Sequence, residues 1–392
     1  MAEQRVIHFR RRYLGGSETF IHTLVTHHRR WRPVVVTGKT VNEHLFPAPE
    51  CVVLRGDEWP DDWLGRARWK IERVLRHRAV DASAAMDRTI SAELLAFSRR
   101  DRAAVIHAHF AEDGLLAIEA HQDSGKPLVV TFYGRDIALA AFDPGERECL
   151  APLVENGTMF LVEGPHMKKL ALRAGVPEDR IRIQRIGIDL QRFGFRPPEP
   201  VPAGPIRVLL ASRFAKKKGI PFGLRAFALA RRQAPRLELT LIGDGPQIEE
   251  VDREIARLSL DEECLRRFPF LSHDDYARTV ADTHIHLVPS VTASDGDSEG
   301  GAPTTLLEMQ AMGKPIVATR HADIPYVVRE GESALLADEK DVEGLAEALV
   351  RVATAPERWI EMGRAGRAQV EANHDVTKEI ERLESLYDEL TA

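Results

Sequence analysis

An α/β architecture of two domains with parallel sheets is expected from three observations. Short apolar runs rich in Val, Ile and Leu alternate with helix-period stretches along the chain. A proline-rich break, 196–206, interrupts that alternation. Glycine-containing and basic motifs recur where apolar runs end, the region where open parallel sheets bind ligands.

Taken in order, the predicted strands of the first half are Val6–Phe9, Val34–Thr37, Ala104–His107, Leu128–Phe132 and Met159–Val162. Each is a continuous apolar run, as expected of a strand covered on both faces by helices. The break reads RPPEPVPAGPI, and its five prolines fit an extended, stiff linker. Strands resume at Val208–Ala211, Leu237–Ile242, Ile285–Val288 and Pro315–Ala318. Helical stretches lie between them, at Phe222–Arg232, Gln247–Leu258 and Leu345–Ala353. Residues 377–390 form a last helix with Ile380, Leu383, Leu386 and Leu390 on roughly one face. The expected division is 1–195, a linker at 196–206, 207–374 and a C-terminal helix at 375–392.

The 392 residues suffice for two cores without disulfide support. The three cysteines, Cys51, Cys149 and Cys264, lie far apart with no metal-ligand spacing. No apolar run approaches the ~18 residues of a membrane span, and the N-terminus has no secretory h-region. A cytoplasmic protein is therefore expected. The first 100 residues carry 18 Lys and Arg against 12 Asp and Glu, and the remainder 36 against 48. The basic front portion suits an anionic partner such as a phosphate-bearing acceptor or lipid surface; nucleic acid is not indicated. Within it, Leu64–Arg78 is amphipathic and basic, with Trp69 near the basic side. It reads as a surface helix, with peripheral contact at the inner face of a membrane as the alternative.

Four motifs offer chemistry. Gly15 and Gly16, between a strand and a helical stretch, would let backbone N–H groups approach a phosphate, or else form a plain turn with Ser17 as N-cap. Arg213 to Gly219 reads RFAKKKG at the end of a strand; Arg213 and a lysine could clamp a diphosphate, or the run could be a solvated loop. Gly243 and Gly245 flank Asp244 at another strand end, permitting close ligand approach, with Asp244 a turn residue. The fourth motif, DSEGGAPTTLLEMQAMG at 297–313, places Pro303 near a helix start, Glu308 about a turn inside and Glu299 on the loop before it. Such carboxylates can accept hydrogen bonds from sugar and ribose hydroxyls while the helix start faces a diphosphate, or they can simply decorate the helix dipole.

These motifs, with VIHAHF at 105–110, TFYGRD at 131–136 and VEGPHMKKLALRAGVPEDRIRIQRIGID at 162–189, run in an order that resembles glycosyltransferase family 4, retaining enzymes of the GT-B fold. Bacterial exopolysaccharide enzymes of the colanic-acid type are the nearest in flavour. The resemblance implies two Rossmann-like domains facing across a cleft. The N-terminal one would take a saccharide or lipid-linked acceptor and the C-terminal one a nucleoside-diphosphate sugar. A UDP-sugar is favoured, with a GDP-sugar as alternative. It implies that the final helix crosses back to the first domain. It assigns Arg213 and Lys218 to the phosphates, Glu308 to the ribose, Glu299 to the donor sugar, and Gly300, Gly301, Ala302, Pro303 and Thr304 to the loop and helix start around the donor. His109, at a strand's carboxyl end, becomes an acceptor-side or donor-sugar contact, with a packed side chain as the alternative. Asp136 is a cleft candidate or a helix cap.

Two departures stand out. Eight residues separate Glu299 from Glu308 where the family has seven, and the extra one falls in Gly300–Ala302. Tyr133 stands where many relatives have histidine. No Asp-x-Asp motif lies at a strand end, so no metal and no cofactor is expected. The rival readings are a GT-B-like sugar-nucleotide epimerase and a non-catalytic sugar-nucleotide-binding partner of a polysaccharide machine.

Overall fold

The computed structural model describes residues 4–15, 18–43, 46–54, 79–201, 203–269, 271 and 273–392. Gly16, Ser17 and the basic stretch 64–78 lie outside the described residues.

The first half contributes β1 (Gln4–Phe9), β2 (Arg12–Tyr13), β3 (Trp31–Thr37), β4 (Lys39–Thr40), β5 (Cys51–Val53), β6 (Val105–His109), β7 (Leu128–Thr131), β8 (Met159–Val162) and β9 (Ile181–Ile183). Seven of these form one parallel sheet in the order β5-β3-β1-β6-β7-β8-β9. The second half adds β10 (Ile206–Ala211), β11 (Leu237–Ile242), β12 (Leu265–Phe268), β13 (Ile285–Val288), β14 (Ile316–Thr319) and β15 (Ala334–Ala337). They form a second parallel sheet, β12-β11-β10-β13-β14-β15. Every strand predicted from an apolar run is present, and the fold is GT-B, with two α/β domains.

The alternation of side chains explains the layers. On β1, Ile7 and Phe9 join Val34, Val36, Ile106 and Val130 under the helices Ala79–Arg100, Ala111–Ser124 and Pro144–Asn156. Val6, one residue out of phase, faces the other way with Val105, Val129 and Leu161. What covers that second face is the helix Val376–Thr391, through Leu383, Leu386 and Tyr387. Each such buried side chain contributes about 1.5–3 kcal/mol relative to exposure. The last helix therefore belongs to the first domain, although it follows the second in the chain.

The chain passes between the domains at two adjacent places. Ile188 N–H donates to His374 O at 2.7 Å, and Val376 N–H donates to Ile188 O at 3.1 Å. The proline-rich segment lies on the second domain: Arg196 N–H donates to Met312 O, and Val201 packs against the second core. Among the described residues, no helix is long and apolar enough to cross a membrane.

Candidate functional site

The carboxyl ends of β10 and β11, with the segment following β13, form one wall of a cleft of about 750 Å³; the first domain forms the other. The lysine run on the second-domain wall divides its labour. Lys216 meets exposed Asp295 at 3.2 Å. Lys217 is nearly buried and staples the next loop, its Nζ 3.1 Å from Asp297 Oδ1 and 2.9 Å from Ser298 O. Lys218 faces the cleft, its Nζ 2.8 Å from Glu299 Oε2. Arg213 also lines the cleft, is exposed, and has no ion-pair partner among the described residues.

Glu299 is held from several sides. Its Oε1 accepts from Ser290 Oγ at 2.8 Å, and its backbone N–H donates to His321 Nε2 at 3.1 Å. Burial pushes its carboxyl up, but Lys218, Lys217 and His321 outweigh that and hold it below the usual carboxylate range. In the loop that follows, Gly300 has a left-handed φ of 74°. Gly300 packs on Gly134 of the first domain so closely that a Cβ would lie 2.3 Å from the Gly134 Cα. Glu299 lines the cleft.

Glu308 sits in the helix Thr304–Ala311 and accepts from Tyr276 Oη at 3.2 Å. Burial pushes its carboxyl up to about 7, against the opposing pull of Tyr276 and Arg192. Pro303, at the N-cap, provides no side-chain cap, and Thr304 and Thr305 of the helix's first turn, where backbone N–H groups lack intrahelical partners, line the cleft. Ala302 and Gly243 line the same wall. At Gly243 a Cβ would lie 1.9 Å from Ser212 O, so a side chain has no room there. Asp244 is a turn residue, its Oδ1 accepting from Gly245 N–H at 2.7 Å.

The first-domain wall departs more from expectation. Gly15 N–H donates to Glu18 Oε2 at 3.1 Å, so a carboxylate occupies the place expected for phosphate. Arg10 bridges Glu18 and buried Asp113, each at 2.8 Å. His109 is not a cleft contact: it is fully buried. Strand alternation puts it on the face covered by the C-terminal helix, and its Nδ1 reaches cleft-lining Tyr133 through the hydroxyl at 2.8 Å. His107 is likewise buried, bonded to Tyr387 and Thr131. Asp136 is half-buried, lines the cleft and accepts from the N–H groups of Tyr133 and Ala111, both at 3.1 Å; burial raises its carboxyl to about 6.

Sequence reasoning missed Glu163. It follows β8 at that strand's carboxyl end and lines the cleft. Burial and the neighbouring carboxylates Asp323, Asp136 and Glu299 push its carboxyl well up. An acidic residue at a strand end was the available signal. Arg10, Arg192 and Tyr276 were also missed, being single residues without a motif, and Glu18, next to Ser17 in the first motif, was given no role. For a metal, the nearest arrangement found among the described residues is His8, His107 and His109, whose ligand atoms lie within 4.8 Å of one another. Every nitrogen of the three is already within hydrogen-bond distance of a side-chain partner. The group is thus part of a hydrogen-bonded network.

The arrangement can bind an anion and hydroxyl groups together. Cations and a helix start meet two carboxylates on one wall, opposite a polar wall on the other domain. Among known proteins, the chain is similar to the amylovoran biosynthesis glycosyltransferase AmsK of Erwinia amylovora, 29% identical over 266 residues, covering 67% of this chain and 64% of that one. It is similar to the putative colanic acid biosynthesis glycosyltransferase WcaL of Escherichia coli, 29% identical over 255 residues, covering 63% and 61%. It therefore spans less than two thirds of either relative's length. The crystal structure of Anabaena HepE in complex with UDP and glucose has the same fold, with a TM-score of 0.76 at 15% identity over 98% of this chain and 99% of that one. Residues 14–192 match the model of Glycosyltransferase Family 4, and residues 205–355 match that of Glycosyl transferases group 1. With the two models spanning most of a GT-B chain, the protein belongs to the family 4 glycosyltransferases.

Proposed function

We propose that this protein moves a hexose from a nucleoside-diphosphate sugar, with a UDP-sugar the favoured donor, to a saccharide or lipid-linked acceptor in polysaccharide assembly, with retention at the anomeric carbon. The observation that carries this is the convergence of Arg213, Lys218, Glu299 and Glu308 with the uncapped helix start on one cleft wall. Support for the polymer comes from AmsK, described as an amylovoran biosynthesis glycosyltransferase, and WcaL, described as a putative colanic acid biosynthesis glycosyltransferase. HepE, of the same fold, is described with UDP.

In this reading charge develops on the leaving diphosphate. Arg213, Lys218 and the N–H groups of Thr304 and Thr305 are preorganised to receive it. These groups take the place of a metal, so transfer is metal-independent. Glu308 accepts from the ribose hydroxyls and Glu299 from a hydroxyl of the donor sugar. The departing phosphate accepts the proton of the attacking hydroxyl on the same face, and no protein base is assigned. Peripheral membrane contact through the basic N-terminal portion remains part of the proposal for a lipid-linked acceptor.

The test begins with thermal shift of the full chain against UDP, GDP and other nucleoside diphosphates, because a ligand of the folded state raises the melting temperature. Transfer and hydrolysis are then measured with the matching sugar donors, and product configuration is read by NMR. Inverted product would remove the retaining mechanism. Epimerised donor without transfer would establish the epimerase, and binding without turnover the non-catalytic partner.

A further inference from the structure

Behind the first-domain wall, buried side chains make a continuous hydrogen-bonded chain. Glu384 Oε1 lies 3.1 Å from His28 Nδ1, His28 Nε2 lies 3.0 Å from His8 Nε2, and His8 Nδ1 lies 3.0 Å from His109 Nε2. His109 Nδ1 then lies 2.8 Å from Tyr133 Oη. The His107 ring stacks on His109 and tilts against His8, closing the side of the chain. Glu384 belongs to the C-terminal helix, and Tyr133 lines the cleft.

We infer that Glu384 is a positioning residue: acting through His28, His8 and His109, it fixes which way the Tyr133 hydroxyl points its hydrogen. This rests on the proposed sugar-binding cleft for its use, but the polarity follows from donor and acceptor chemistry with one proton on each ring. Glu384 Oε1 also accepts from the N–H groups of Arg29, Arg30 and Trp31, at 2.7, 3.0 and 3.2 Å. Burial opposes its charge, yet these bonds and His28 hold the carboxyl down at about 2. It is therefore a carboxylate and can only accept.

Each further link then has one solution. His28 must donate from Nδ1, and with one proton on the ring that leaves Nε2 as an acceptor. His8 must donate to it from Nε2, leaving Nδ1 as an acceptor. His109 must donate from Nε2, leaving Nδ1 as an acceptor. Tyr133 must donate its hydrogen to His109. The opposite order would either set a lone pair of His28 against the carboxylate or require a second proton on that ring. Burial holds His8 and His109 well below the usual histidine range, so neither carries a charge that would break the pattern. Tyr133 is left with only lone pairs for other partners, the Thr131 side chain among them, so what it meets in the cleft must bring a hydrogen. In a sugar-binding cleft that is a hydroxyl group.

The experiment is histidine-selective ¹⁵N NMR of the full chain near neutral pH, which reads the tautomer of each ring. His28 is expected as the Nδ1–H form, and His8 and His109 as the Nε2–H form. His109 found as Nδ1–H, or doubly protonated, overturns the inference. In Glu384→Ala the anchor is gone; His109 is expected to show both tautomers. KM for the donor sugar or for the acceptor should then rise severalfold, whichever sugar meets Tyr133, with nucleoside-diphosphate affinity unchanged. Retention of the single wild-type tautomer at His109 in this variant also overturns it. If that variant does not fold, the wild-type spectrum decides. Because the tautomers are read without turnover, a failure of the transferase reading leaves this result standing, and the reverse also holds.

Discussion

Lys218 Nζ and Glu299 Oε2 lie 2.8 Å apart in the cleft, so the cation proposed for the leaving phosphate and the carboxylate proposed for the sugar are each other's partner. A diphosphate must share Lys218 with Glu299. Glu299→Gln removes that competition. It is expected to tighten nucleoside-diphosphate binding by a few-fold while lowering sugar transfer by roughly a hundredfold, as loss of a charge-assisted contact does. Calorimetry and initial rates check both halves. Unchanged transfer would take Glu299 out of the site.

Arg213→Ala and Lys218→Ala are each expected to lower kcat by about a hundredfold or more, the scale of losing a charge partner in the transition state. Arg213 has no ion-pair partner to strand among the described residues, so its variant should keep its melting temperature. Near-normal turnover in both variants would end the phosphate-clamp assignment.

Glu308 gives a pH signature. Its carboxyl is pushed up to about 7, so ribose hydroxyls meet a carboxylate only above that. Affinity for the nucleoside diphosphate is expected to rise as pH increases through about 7. Glu308→Ala should weaken nucleotide and sugar donor alike by about 1.5–3 kcal/mol. The stability sign is opposite: a raised carboxyl contributes stability that is full below its unfolded value and is lost as pH rises through about 7. Glu308→Gln should therefore melt higher than the parent above that pH and lose its advantage in acid. A pH-independent nucleotide affinity would contradict the ribose role.

Gly134 and Gly300 meet backbone to backbone across the domains. A Cβ on Gly134 would lie 2.5 Å from Glu299 O, and both residues have positive φ, 127° and 74°. Alanine at either is expected to cost about 2 kcal/mol or more, or to force the cleft open. Thermal unfolding with small-angle scattering separates these outcomes; a variant unchanged in both would show that the contact yields freely.

Chelator is expected to leave transfer intact, because Arg213, Lys218 and a helix start are assigned to the diphosphate. Loss of activity that magnesium or manganese restores would refute this.

The interior strands were legible because burial on both faces leaves an unbroken apolar run. The strands missed in the two large sheets are β5, β9, β12 and β15, and these are the four sheet edges. An edge strand is covered on fewer sides and admits polar residues, as in the Leu265–Phe268 segment LRRF. The second-domain site was legible for a related reason: Arg213, Lys218, Glu299 and Glu308 occupy two short stretches with recognisable spacing. The first-domain wall was not. Arg10, Glu18, Tyr133 and Glu163 converge only through the order of β1, β6, β7 and β8 in the sheet. His109 was misplaced because alternation gives its face but not what covers that face.

The covering of the first sheet by the helix Val376–Thr391 has a consequence for biosynthesis. A ribosome delivers the first domain's strands well before it delivers Leu383, Leu386 and Tyr387. Until then Val6, Val105, Val129 and Leu161 form an uncovered apolar face on the nascent chain, the sort of surface that binds chaperones or associates with its own kind. The second domain must be translated in the meantime, so the first cannot finish ahead of it. A chain stalled before residue 376 would thus carry a complete-looking second domain beside an unfinished first one, with the imidazole chain cut off from its carboxylate. Assembly of the cleft wall is in this way made to wait for a late-translated helix.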